Sequence, residues 1–355
     1  MSKPRLIAFY LPQFYPTPEN DEWWEPGFTE WTNVARAKPL FKGHDQPRIP
    51  RDLSFYDLRV PETRIRQAQL AREAGIEGFC YWHYWFAGRR LLDKVFQDVV
   101  ELGQPDYPFC LCWANHSWYQ KTWDPSKPDK LLIEQTYPGK QDYINHFNAM
   151  LPAFKDKRYM KVDGKLIFGI YDSIGFNDFT QFAEIWNQLA KQNGLDGFYF
   201  FGFTFSTDKL NEILEKGYNS VVSDYILKFK DSEVSFLKKV RRKILHYPQI
   251  LHYDDYAKYV MDHYSMKKNI HPCINPNFDH SPRSRERGVV ICDHSPERWE
   301  KLCKNILKQC CSREGNDNLV FIKAWNEWGE GNYLEPDMTY GHQFINATRR
   351  AIDSI

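Results

Sequence analysis

The sequence predicts an α/β fold, a single (β/α)8 barrel with a long first βα loop, spanning residues 1–355 as one domain. Three observations predict it. Short, nearly continuous apolar runs alternate with segments of helical spacing, the signature of a parallel sheet covered on both faces. Eight such runs can be placed. Most of them end abruptly in polar and aromatic residues, and functional groups of a barrel collect at the C-terminal strand ends.

The strands are expected at Leu6–Tyr10, Gly78–Tyr84, Phe109–Asn115, Leu166–Asp172, Phe198–Thr204, Ser220–Tyr225 and Leu319–Asn326, with an eighth in His271–Asn277. Helical spacing of apolar residues marks Glu62–Ala74, Asn145–Phe154, Phe179–Gln192, Ser295–Gln309 and His342–Ile355. Gly75, Gly194 and Gly217 follow such segments, where helix C-caps belong. Residues 228–268 carry the weakest pattern and a basic run, Lys238, Lys239, Arg241, Arg242 and Lys243, read as a solvated helix face. No linker, low-complexity tract or internal repeat divides the chain.

Lys and Arg number 47 against 46 Asp and Glu, so the charge balance excludes a basic nucleic-acid footprint. The apolar run Leu6–Tyr10 is too short for a signal-peptide core, and no stretch reaches the ~18 residues of a membrane span. Eight cysteines without a CxxC pair argue against a zinc ribbon. Cys80, Cys110 and Cys112 lie in apolar runs, where a reduced thiol is a small hydrophobe. These features lead to the expectation of a cytoplasmic protein. Aromatic residues make up 16% of the chain, an excess that points to a ligand with flat apolar faces, of which sugars are the soluble candidate.

The strand ends supply the candidate contacts. They are Tyr10 and Gln13; His83, Tyr84 and Trp85; Trp113, Asn115 and His116; Asp172; Tyr225; and Trp325 with Asn326. Asp172 reads either as a hydroxyl-binding acid or as a cap on the next helix. His83 lacks a second ligand at metal spacing, so it reads as a hydroxyl partner or a satisfied core histidine. Glu134, in Leu-Leu-Ile-Glu-Gln-Thr-Tyr, is expected to reach the pocket from a loop. No metal and no cofactor is expected.

Residues 325–331, Trp-Asn-Glu-Trp-Gly-Glu-Gly, carry the chemistry. Glycosidic cleavage usually needs two carboxyl groups around one bond, one protonated and one ionised. Glu327 and Glu330 offer such a pair. Flanking indoles would raise one pKa by desolvation, while Asn326 and backbone amides hold the other group charged. Gly329 and Gly331 allow sharp backbone turns.

Several segments resemble the WbsX family of bacterial polysaccharide gene clusters. They include Ala8–Tyr15, Pro18–Trp24, Gly27–Asn33 with Trp31 among its residues, Lys38–His44, Asp52–Leu58, Phe79–Phe86 and the Trp-Asn-Glu-Trp-Gly-Glu-Gly motif. The likeness runs from about Leu6 to Arg350. That family in turn is similar to glycoside hydrolase family 99, the endo-α-mannosidases and endo-mannanases. The resemblance implies retaining hydrolysis of an α-linked, mannose- or rhamnose-like sugar through an epoxide. Glu327 would act as base on the substrate's 2-hydroxyl, and Glu330 as general acid and then base. It also implies that Asn277 and Arg283, in Asn275–Arg283, line the pocket. One departure stands out: many relatives have Trp-Ala-Asn-Glu where this chain has Trp113-Ala-Asn-His116, which alters the charge of that subsite.

Three functions compete. A retaining hydrolase needs an acid pair and an aromatic cleft, and both are present. A glycosyltransferase of surface-polysaccharide synthesis is the alternative, although the chain has neither Asp-x-Asp nor a glycine-rich loop after its first strand. A non-catalytic glycan-binding barrel is the third, and it does not call for an acid pair. The expected partner in every case is an oligosaccharide or polysaccharide.

Overall fold

Eight parallel strands hydrogen-bond in a closed ring in the computed structural model, which describes residues 3–121, 128–233, 247–312 and 318–355. They are β1 (Arg5–Tyr10), β2 (Gly78–His83), β3 (Phe109–Trp113), β4 (Lys165–Ile170), β5 (Phe198–Thr204), β6 (Ser220–Asp224), β7 (Ile270–Ile274) and β8 (Leu319–Ile322). Each pairs with its neighbours in chain order, and β8 closes on β1 with Phe321 opposite Ile7. All eight expected strands are therefore present as a (β/α)8 barrel. The basic run 238–243 lies outside the described residues.

Helices Pro61–Ala74, Lys140–Phe154, Phe179–Gln192, Pro296–Cys311 and Gln343–Asp353 cover the strands. Each contains the expected helical segment to within a residue or two, except that the second begins five residues early. Gly75 caps the first of these in the left-handed region, φ 81°, where a side chain would be strained. Two shorter helices, Pro18–Trp23 and Glu30–Arg36, lie in the long loop after β1. Among the described residues, no helix is long and apolar enough to cross a membrane.

Strand side chains alternate between the barrel interior and the helix layer. Phe9, Trp82, Phe203 and Phe321 face inward: Phe9 stacks on Trp82 at 4.5 Å and meets Phe321 at 5.4 Å. Phe201 fills the space that Gly169 leaves, since a Cβ there would come within 2.2 Å of its ring. The opposite parity, including Tyr10, Tyr81, His83 and Trp113, packs against helices. This parity decides which strand-end residues face the barrel mouth.

Gly169→Val is therefore expected to cost about 3 kcal/mol or more through overpacking, read as a lower urea midpoint, whereas Gly194→Ala, with no atom near its Cβ, should lose only the smaller cost of its positive φ.

Candidate active site

Four chain segments meet at the C-terminal mouth of the barrel. Thr29 caps the helix Glu30–Arg36 with a capping box, which places Glu30 in its first turn. The short helix Ser281–Ser284 carries Arg283, and the Asp279 carboxylate accepts the Ser281 N–H at its start. Lys323 follows β8 on the same face as Phe321. Glu327 and Glu330 lie on the hairpin built from Asn326–Glu327 and Asn332–Tyr333.

Arg283 joins these segments. Its Nη1 lies 2.6 Å from Glu330 Oε1 and 3.4 Å from Glu327 Oε1, while its Nε and Nη2 each lie 3.1 Å from Glu30 Oε2. Sharing one nitrogen keeps the Oε1 atoms of Glu327 and Glu330 no more than about 6 Å apart. Lys323 Nζ sits 3.3 Å from the other Glu330 oxygen. Glu327 Oε2 is buried with no hydrogen-bond partner.

The two carboxyls are pushed apart electrostatically. Burial raises Glu327, and the Glu330 charge raises it further, outweighing Lys323 and Arg283. Burial also works against the Glu330 carboxylate, but Lys323, Arg283 and His280 overcome it and hold that group below the usual range. Asp224, at the end of β6, is a further buried acid raised by desolvation. The two shifts run in opposite directions, so Glu327 is the member of the pair that takes up a proton more readily.

The glycines of the motif serve close approach. A Cβ on Gly329 would lie 2.2 Å from Glu30 Oε2 and 2.9 Å from Arg283 Nε, so any side chain there would break the Arg283–Glu30 pair. Gly331 is left-handed, φ 53°, and presses against Asp279. Asp279 in turn donates its N–H to Glu330 O, and its Oδ2 lies 2.8 Å from His44 Nε2 and accepts from Gln46.

The expected contact residues divide into three groups. Arg283, Tyr84, Gln13 and His116 stand at the mouth. The Tyr84 phenol feels the Glu327 and Arg283 charges and accepts from Gln13 Nε2 at 2.9 Å. His116 lies against Tyr171 at 4.9 Å with its Nδ1 buried and unpartnered.

The second group clamps the backbone. Asn326 bonds both the N–H and the carbonyl of Leu11, and Asn277 does the same for Tyr333. Asn115 ties itself to the Asp172 backbone, and the Asp172 carboxylate accepts the Gly175 N–H in a local turn rather than capping the next helix, whose N-cap is Asp178. The Trp31 indole donates to Tyr56 O and packs 5.6 Å from Trp328, bracing the hairpin from behind.

The third group differs from expectation by facing away from the mouth. Tyr10 donates to Gln67 between barrel and helix. His83 pairs with His146 at 2.7 Å, and burial pushes it down to about 3, so it is a neutral core histidine. Trp85 stacks on His146 at 4.6 Å. Trp113 donates to Trp85 O among Phe176 and Phe182. Trp325 is fully buried beside Phe79, and Tyr225 is fully buried at the start of the helix Ile226–Ser232. Glu134 is exposed just past the strand Lys130–Ile133, with no contact tying it to the acid pair.

Glu30, Lys323 and His280 were missed as site residues, while Asp224 and Tyr171 stand at strand ends expected at the site, beside Tyr225 and Asp172. Lys323 had a signal: a lone lysine, buried here to 7% exposure, ending an apolar strand just before the acid motif. Glu335 was missed as well. It accepts from Tyr56, Gln67 and Trp328, all neutral donors, and so anchors the indole between the two catalytic candidates.

Arg283→Ala would leave three crowded acids without their bridge and is expected to destabilise the fold by about 3–5 kcal/mol, measured by urea unfolding at pH 7. Burial raises Glu335 to about 7 in the folded state, above its usual ~4.3. Its protonated form therefore contributes stability at low pH that is lost as pH rises through 7, on the order of 3 kcal/mol. The melting temperature of Glu335→Gln should accordingly fall less between pH 5 and 8 than that of the wild type.

Comparison with known proteins places this geometry in context. A family model described as Glycosyltransferase WbsX matches residues 6–348. The protein WxcX of Xanthomonas campestris pv. campestris, described as uncharacterized, is 34% identical over 357 residues in each of two strains, covering 98% of this chain and 49% of WxcX. The chain thus spans about half the length of these curated relatives. Among solved structures, a glycoside hydrolase-like protein superposes with TM-score 0.65 at 14% identity, covering 99% of this chain and 94% of that one. The GH99 endo-alpha-mannosidase from Bacteroides thetaiotaomicron gives TM-score 0.56 at 13% identity, covering 99% and 97%. At such identities these two neighbours speak to the fold alone. The match along nearly its whole length shows that the chain belongs to the WbsX glycosyltransferase family, a family of carbohydrate-active enzymes.

Proposed function

We propose that this protein, acting as one barrel domain, is a retaining glycoside hydrolase that cleaves an α-linked mannose- or rhamnose-like bond using Glu327 and Glu330. The observation that carries the reading is the pair itself: two carboxyls on one guanidinium nitrogen at the barrel mouth, driven to opposite protonation states. Opposed environments of this kind define acid and base assignments.

In the order implied by the resemblance, Glu327 takes the proton of the substrate 2-hydroxyl as its oxygen attacks the anomeric carbon. Glu330 protonates the departing oxygen. Water then opens the epoxide, giving its proton to Glu330 while the 2-oxygen recovers one from Glu327. The electrostatics of the pair, however, favour the proton on Glu327 and the charge on Glu330. This order therefore requires the sugar to displace Lys323 or Arg283 from Glu330 on binding. The same residues in exchanged roles form the reading that the sugar-free ion pairs favour.

Glycosyl transfer is a second reading, supported by the description of the family. It differs only in the last step, where an acceptor hydroxyl replaces water. The eight cysteines, all free thiols and six of them buried, support a cytoplasmic setting for either reaction.

Glu327→Gln and Glu330→Gln should each lower turnover of α-mannosides or α-rhamnosides by about 10²–10⁴-fold, with retained anomeric configuration in the wild-type product by NMR. Exchanged roles would show as loss of the alkaline limb of the pH–rate profile in Glu327→Gln rather than in Glu330→Gln. Full activity in either variant, or an absolute need for a nucleotide-sugar donor, would sink the hydrolase assignment.

A further inference from the structure

The aromatic side chains beyond the acid pair form a path toward the surface that the proposed reaction does not use. Tyr84, beside Glu327, meets the Trp118 indole edge-to-face at 5.1 Å and 80°. Trp118 then meets Trp23 at 5.9 Å, again at 80°. Phe86 supports Trp118 from a third side at 5.5 Å. Tyr84 is buried, whereas Trp118 and Trp23 are both half-buried, so the path opens to solvent as it leaves the carboxylates.

Two chain segments hold these indoles in place. Trp118 begins the strand Trp118–Gln120, paired with Lys130–Ile133, and Trp23 ends the helix Pro18–Trp23 in the first loop. The Gln120 side chain donates to Trp23 O and ties one to the other. Core packing would bury both indoles fully, as it does Trp113, Trp186 and Trp299. A corner of two half-buried indoles beside the Gln120 amide instead matches a pyranose ring, which offers a flat C–H face to one wall and hydroxyls to its rim.

We propose that Trp118 and Trp23 form an outer subsite for further sugar rings of the chain whose bond is broken at Glu327 and Glu330, so that the enzyme prefers oligosaccharides over short glycosides. The inference rests on the proposed function, and continuity through Tyr84 and Gln13 is what commits the corner to the same glycan.

The test compares wild type and Trp118→Ala on linear α-linked manno- and rhamno-oligosaccharides of two and of five rings. Affinity electrophoresis in yeast α-mannan and in an α-rhamnan gives a binding readout independent of chemistry. The ratio of kcat/KM on the long over the short substrate should fall about tenfold in Trp118→Ala, the loss of one desolvated aromatic contact. Trp118→Phe, which keeps a flat face, should restore most of it. An unchanged ratio, or an equal loss on both lengths that Trp118→Phe does not repair, overturns the outer subsite while leaving the catalytic reading intact. A wild-type protein that neither binds nor cleaves any of these glycans overturns the proposed function, and the subsite with it.

Discussion

The Arg283 guanidinium is the contact on which the site depends. Its planar fork presents one edge to Glu30 and one nitrogen to both Glu327 and Glu330, a division of labour that a lysine ammonium cannot reproduce. Buried ion pairs of this kind add little net stability, because desolvation offsets the Coulomb gain. What the bridge supplies is geometry. It draws the first loop, the loop after β7 and the hairpin after β8 onto one point. Burial and the neighbouring Glu330 charge then raise the Glu327 carboxyl, whose hold on the cations is the weaker.

Around this centre, polar side chains at the strand ends do two different jobs. Some face the mouth and carry charge. Others spend both ends of an amide on a neighbour's backbone, as Asn326 does on Leu11 and Asn277 on Tyr333. The Asp279 cluster with His44 and Gln46 holds the carbonyl of Glu330 in the same manner. Buried amides so used have no hydrogen-bonding capacity to waste, and they explain why the acid pair sits on a rigid hairpin although it lies outside the barrel strands.

Much of the barrel was readable along the chain because a parallel sheet buried on both faces needs unbroken apolar strands, and helices between them need a 3.6-residue period. The acid pair was readable because Glu between tryptophans has no core explanation. The parity of each strand end was not. Trp82 and His83 are neighbours in sequence, yet one faces the barrel interior and the other a helix, and a run of mixed polar and aromatic residues looks the same in either register. The aromatic excess misled for the same reason: Trp113, Trp186, Trp299, Trp325 and Trp328 are fully buried, most of them sealing the layer between barrel and helices. Glu30 escaped because it acts on Arg283 across 253 residues, a pairing of which one sequence carries no record. Lys323 lies only seven residues from Glu330 and was overlooked as part of an apolar strand end.

The closure of β8 on β1 joins the two ends of the chain, and the charged cluster straddles that seam. Glu30 belongs to the loop after the first strand, whereas Lys323, Glu327 and Glu330 follow the eighth. Seven paired strands without the eighth would therefore lack Lys323 and both acids of the pair. The Arg283 bridge from Glu30 to Glu327 and Glu330 can close only once β8 has docked on β1, which makes the charged cluster a latch on the closed ring.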